Sequence, residues 1–382
     1  MKIAQVAPLI ESVPPRFYGG TERIVSYLTE ELVRLGHDVT LFASGDSITS
    51  AKLVPCCTRA LRLDPTVRDI IPYFMVMIDK VRKHAEEFDV LHFHIDLFHF
   101  PLFRPLAGRT LTTLHGRQDL VDLKPFYSRF GEMPLVSISD DQRKPLPHAN
   151  FVKTIHHGIP ADLHQPSFEQ GSYLAFLGRI SPEKGPDRAI KIARAAGIPL
   201  KIAAKIDKVD EDYFRNDILP LIDGSGVEFI GEINEGEKTK FLGEAAALLF
   251  PVDWPEPFGL VMIEAMACGT PVVAFRCGSV PEVIDYGVTG RAVHSEDEAI
   301  AALPAILAYD RRAVRQRFEE RFTHARMAKD YVSVYRRLLK NRASGARPPQ
   351  IDLNGGNGLI PVSIEKPLPV LIEVGADPEI PI

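Results

Sequence analysis

Glu256-Pro257-Phe258-Gly259-Leu260-Val261-Met262-Ile263-Glu264 sets two carboxylates eight positions apart around one glycine. Upstream, Ala246-Ala247-Leu248-Leu249-Phe250-Pro251 is a short apolar run closed by a breaker, the pattern of a buried parallel strand. Downstream, Leu260 to Ala267 is made of apolar helix formers that Gly269 and Pro271 stop. Glu256 therefore falls in the loop at a strand's carboxyl end, where open α/β sheets bind ligands. The amides around Phe258, Gly259 and Leu260 make a helix N-terminus suited to an anion. Glu264 follows on that helix, with oxygens that can accept from two hydroxyls.

Working outward, the rest of the chain alternates in the same way. Ile3–Val6, Asp38–Ala43, Val90–Phe93, Thr110–Leu114 and Leu135–Ile138 read as strands, with helices over 21–35 and 72–87. A second series starts at Tyr173: strands at 173–177, 200–204 and 227–230, helices at 186–196 and 236–246. Such alternation implies right-handed βαβ units and parallel sheets. The breaker-rich link 157–166 divides the chain, and 311–339 reads as two charged amphipathic helices. The expected fold class is α/β, with two doubly wound Rossmann-like units.

Three further segments carry chemistry. Gly178-Arg179-Ile180-Ser181-Pro182-Glu183-Lys184-Gly185 follows a strand and precedes a helix, with two cations five positions apart. Arg offers a rigid fork and Lys a mobile point charge, so together they suit a diphosphate clamp. Gly19-Gly20, between the first strand and first helix, allows close backbone approach to a phosphate. His115 ends a strand at the cleft edge. His92, His94 and Asp96 alternate onto one side of another strand, which favours acceptor contacts or plain hydrogen bonding over a metal site. Asp210-Glu211-Asp212 reads as a solvated helix start.

The string Trp254 to Gly259, continued by Glu264-Ala265-Met266-Ala267-Cys268-Gly269-Thr270-Pro271, resembles the E-x7-E signature of retaining GT-B glycosyltransferases of family 4. The 178–185 segment resembles the same family's G-R-x-x-x-x-K-G pattern. The resemblance runs from about Met1 to Leu339. It implies a GT-B arrangement: an acceptor domain at 1–165, a nucleotide-sugar donor domain at 166–320, a helix at 321–342 crossing back to the first domain, and a Pro/Gly-rich, flexible tail at 343–382. It also implies hexosyl transfer from a nucleoside diphosphate sugar with retention, without a metal or other cofactor. Glu264 would hold the ribose; Glu256 and the amides of Phe258, Gly259 and Leu260 the transferred sugar. Arg179 and Lys184 would stabilise the leaving diphosphate, and His115 would position the sugar. Gly19 and Gly20 would lie over the diphosphate, and Gly231 and Glu232 would face the base. His94 and Asp96 are assigned to a small-molecule, saccharide or lipid-linked acceptor.

Composition narrows the rest. A formal net charge of −5 gives no case for nucleic acid. An apolar fraction of 45% with 25% charged residues is that of a globular protein. Four cysteines without zinc spacing, and no run long enough to span a bilayer, point to the cytoplasm. The runs Arg59/Arg62/Arg68 and Lys80/Arg82/Lys83 keep peripheral contact with a membrane's inner face open. Two rivals to the transferase remain at this stage: a GT-B-like nucleotide-sugar epimerase or hydrolase, and a non-catalytic nucleotide-sugar-binding protein.

Overall fold

The computed structural model describes residues 1–16, 19–222, 224 and 226–343. The expectation of a flexible tail at 343–382 falls, from residue 344 on, outside them. Among the described residues the strands form two parallel sheets. The first contains β1 (Lys2–Val6), β2 (Asp38–Ser44), β3 (Lys52–Cys57), β4 (Val90–Phe93), β5 (Thr110–Thr113), β6 (Leu135–Ser137) and β7 (Phe151–Thr154), in the order β3-β2-β1-β4-β5-β6-β7. The second contains β8 (Tyr173–Ile180), β9 (Leu200–Ile206), β10 (Val227–Gly231), β11 (Ala245–Phe250), β12 (Val272–Phe275) and β13 (Gly290–Val293), in the order β10-β9-β8-β11-β12-β13.

Each order reverses once, between β1 and β4 and between β8 and β11. A reversal leaves a crevice beyond the strands' carboxyl ends. The central strands are buried on both faces: all six residues of β11 are buried, as its Ala-Ala-Ala-Leu-Leu-Phe composition requires. The helix Pro186–Ala196 opens with Pro186 in its first turn and stops at Gly197 in the left-handed region.

The last helix, His324–Ala343, packs Met327, Tyr331, Tyr335 and Leu338 against Ile3, Leu28 and Leu111 of the first unit. Its Tyr331 and Tyr335 are among the largest fully buried side chains. No helix among the described residues is long and apolar enough to cross a membrane.

Candidate functional site

A cavity of about 660 Å³ opens where the two crevices face one another. One wall is the loop after β11. There the Glu256 amide donates to the Trp254 carbonyl at 2.7 Å, and the Glu256 carbonyl accepts from Ser279 N–H at 3.0 Å. Gly278, at φ 56°, lets that backbone pass: a Cβ on it would sit 2.4 Å from Glu256 N and O. Gly259, at φ 77°, then turns the chain into the helix Leu260–Ala267. A Cβ on Gly259 would meet Met262 Cε at 2.8 Å and Phe250 Cζ at 3.0 Å. The Phe258 side chain is core, and its carbonyl accepts from Ser279 Oγ at 2.8 Å. Phe258, Gly259 and Leu260 all line the cavity.

The two cations stand beside this loop. Arg179 lies within β8, which runs to Ile180 rather than ending at Leu177 as the sequence suggested. It pairs with Glu183 at 2.5 Å and Asp207 at 3.5 Å, with Asp210 at 3.8 Å. Asp210 is thus a buried neighbour of Arg179, which corrects its reading as solvated; it precedes the short helix that the exposed Glu211 and Asp212 open. Lys184 bonds directly to Glu256. The two loops are tied together by Asp253 N–H donating to the Glu183 carbonyl at 2.8 Å. Both cations are therefore already partnered by carboxylates, which hold them in place until an anion competes.

Glu264 also lines the cavity, 4% exposed. Lys238 Nζ donates to it at 2.9 Å and pairs with Glu235 at 3.2 Å; Glu235 in turn meets Arg23, from the first unit, at 2.8 Å. Burial works to raise the Glu264 carboxyl, but the Lys238 and His164 charges outweigh it and hold the group below the usual carboxylate range. His164, Glu235 and Glu264 bring ligand atoms within 4.8 Å of one another, a donor set that could hold a metal. The Lys238 ammonium already supplies a positive charge there. Sequence reasoning missed Lys238, Arg23, Glu235 and His164. Lys238 lies on the helix Glu235–Gly243, whose Asn234–Glu237 capping box marks its start but gives no sign of a site.

The first unit contributes the facing wall. Gly19 and Gly20 line the cavity, and a Cβ on Gly20 would lie 3.6 Å from Leu260 Cδ1 across the gap. His115 and His157 line it as well, with rings stacked at 5.3 Å. Burial pushes His115 down to about 3, so it is neutral. Glu232 lines the cavity, whereas Gly231 stands just behind it at the end of β10.

His94 and Asp96 are not brought to this surface together. β4 ends at Phe93, and Asp96 takes φ 49°, so the alternation that would align them is broken. His94 is buried, with both ring nitrogens engaged by Gln5 and His115. Asp96 is exposed outside the cavity; crowding by surrounding protein pushes its carboxyl up to about 6, an effect that its open surface discounts.

Comparison with known proteins gives the family and the fold. Residues 163–323 match the family model for glycosyl transferases group 1, and residues 18–168 match that for glycosyltransferase family 4. An uncharacterized glycosyltransferase of Methanocaldococcus jannaschii is 24% identical over 88% of this chain and 98% of its own. The crystal structure of AviGT4, a glycosyltransferase involved in avilamycin A biosynthesis, superposes with a TM-score of 0.70 at 25% identity, covering 89% of this chain and 98% of that one. Anabaena HepE, solved with UDP and glucose, gives a TM-score of 0.65 at 18% identity over 88% of this chain and 100% of its own, a likeness of fold. With its two facing parallel sheets and two adjoining family matches, the chain belongs to the family 4, group 1 glycosyltransferases of GT-B fold.

Proposed function

We propose that this glycosyltransferase moves a hexosyl group from a nucleoside diphosphate sugar to a hydroxyl acceptor, with retention and without a metal. The observation that carries the reading is the polarity of the cavity. Glu264, Arg179 with Lys184, and Glu256 with Phe258 to Leu260 all line it. A buried carboxylate for ribose hydroxyls, two cations for a diphosphate, and a carboxylate with amides for a sugar together supply what a nucleoside diphosphate sugar needs. The bond from the anomeric carbon to the diphosphate oxygen breaks with its electron pair leaving on the diphosphate, where Arg179 and Lys184 stabilise the gathering charge. The acceptor oxygen bonds to the anomeric carbon from the face the diphosphate leaves, and its proton passes to the departing oxygen. Front-face attack is the favoured route because no side chain stands out as a covalent nucleophile.

HepE's complex with UDP and glucose makes UDP-sugars the first donors to test. A thermal-shift screen of nucleoside diphosphates and their sugars tests the donor site, since a ligand at 100 times its Kd adds about 2.7 kcal/mol. Stabilisation by one nucleotide family supports the reading, and a folded protein that none of them stabilises overturns it. Release of free sugar without an acceptor would favour the hydrolase.

The reading extends to the protein's surroundings. The helix Ile71–His84 exposes Ile71, Tyr73, Met75 and Val76 beside Lys80 and Lys83. That mixed surface supports peripheral contact with an anionic membrane by a cytoplasmic protein, which vesicle sedimentation checks.

A further inference from the structure

His115 is the cavity end of a buried chain of hydrogen bonds that starts on the last helix. The Tyr335 hydroxyl lies 2.7 Å from His92 Nδ1 and 3.1 Å from Gln5 Nε2. His92 Nε2 is 2.8 Å from Thr113 Oγ1, which is 2.9 Å from the Tyr331 hydroxyl. On the other side, Gln5 Oε1 is 2.8 Å from His94 Nε2, and His94 Nδ1 is 2.9 Å from His115 Nε2. Gln5, His92, His94 and Tyr335 are at most 3% exposed. Burial holds His92 and His94 neutral, well below the ordinary imidazole range.

A neutral imidazole has one donor and one acceptor nitrogen, so the sense of one bond dictates the next. Gln5 decides the sense. Its amide nitrogen carries two hydrogens and points them at the Tyr335 oxygen, 3.1 Å away, and at His92 Nδ1, 3.4 Å away, whose single lone pair the Tyr335 hydroxyl also reaches. Turning the amide over would aim that nitrogen at His94 and leave one buried N–H with no acceptor among the described residues, a costlier vacancy than a carbonyl with one bond. With the amide oxygen on His94, His94 donates through Nε2 and accepts at Nδ1. His115 must then donate through Nε2, and its Nδ1 keeps the lone pair. That Nδ1 is buried and has no partner among the described residues, while the ring lines the cavity.

We infer that Gln5 and His94 are positioning residues that fix His115 as its Nε2–H tautomer, so that Nδ1 offers the donor sugar a hydrogen-bond acceptor for one hydroxyl. Tyr335 extends the control to the helix His324–Ala343, which thereby acts on a site it does not touch. The tautomer follows from the hydrogen-bond network alone; its role toward a sugar rests on the donor reading above.

Long-range 1H–15N correlation spectra of the full-length protein labelled on histidine test the tautomer, with His115→Ala assigning the ring. Nε2–H at His115 is expected; Nδ1–H overturns the inference. In His94→Phe the acceptor for His115 is gone, and His115 is expected to exchange between tautomers. UDP-glucose affinity should then fall about tenfold, roughly the worth of one hydrogen bond, while UDP affinity holds. Equal loss for both ligands would mark a merely structural role and overturn the positioning claim. Where the screen finds another nucleotide, that nucleotide and its sugar replace UDP and UDP-glucose; wild-type protein that binds none of them would sink the donor reading, and the spectra would still decide the relay.

Discussion

Lys184 and the Trp254 indole donate to the same oxygen of Glu256, the indole from 2.9 Å. The Lys184 ammonium also lies 5.1 Å from the centre of the Trp254 ring. Lys184 and Trp254, from two loops, thus fix one carboxylate of the cavity lining. On the proposed reading, an arriving diphosphate would compete with Glu256 for Lys184. Lys184→Ala should lower kcat by about 10²-fold or more, in line with loss of one preorganised charge contact to the leaving group. Steady-state kinetics with the donor found by the screen checks this; near-normal turnover would show that Arg179 holds the diphosphate without it.

Glu264 depends on Lys238 for its charge. Their side chains are 5% and 16% exposed, and removing one partner of a buried pair leaves an uncompensated ion. Lys238→Met should therefore destabilise the protein by about 3–5 kcal/mol, and Lys238→Met combined with Glu264→Gln by much less. Urea titrations of the two variants decide it. Equal losses would mean that the pair's charge is solvated and that Lys238 does not hold Glu264.

The buried histidines predict an acid-side loss of stability. His92, His94, His99 and His157 are held neutral in the folded state, with burial the leading cause, and their unperturbed value is 6.5. Below pH 6.5 the unfolded chain takes up protons that the folded one does not. Stability is thus complete above that pH and falls below it, by about 1.4 kcal/mol per histidine for each unit of pH at most. His99 lies away from the cavity, stacked on Phe93 at 3.7 Å and bonded to Thr112 at 2.9 Å. His99→Phe should reduce the proton uptake on unfolding between pH 6.5 and 5.5 by about one. An unchanged slope would show that His99 titrates in the folded protein.

The elements legible in the sequence are those whose burial imposes a pattern. Strands β8 and β11 read as apolar runs because helices or loops cover both faces, and the Glu256 loop reads through Gly259 and the breakers around it. Three of the strands that escaped notice, β3, β7 and β13, are sheet edges. β3 contains Pro55, β7 contains Lys153 and β13 contains Arg291; an edge tolerates proline and charge, and so loses the apolar signal. The site divides along the same line. Arg179, Lys184, Glu256 and Glu264 lie in short local motifs. Lys238, Arg23 and the Gln5–His94–Tyr335 network are assembled from distant positions: Gln5 and Tyr335 are 330 residues apart, a juxtaposition only the returning helix creates.

The cluster at Glu264 sharpens the question of a metal. A divalent cation among His164, Glu235 and Glu264 would have to displace Lys238, which lies 2.9 Å from Glu264 and 3.2 Å from Glu235, and would meet Arg23 at 2.8 Å from Glu235. Two cationic side chains already balance the two carboxylates, so a third positive centre would face repulsion at close range. On the proposed reading, Arg179 and Lys184 would neutralise the diphosphate without a metal. EDTA should therefore leave the transfer rate unchanged, and added Mg²⁺ or Mn²⁺ should not raise it. Strong inhibition by EDTA that Mn²⁺ reverses would overturn the metal-independent reading. Loss of that reversal in Glu235→Gln would then place the ion at this cluster.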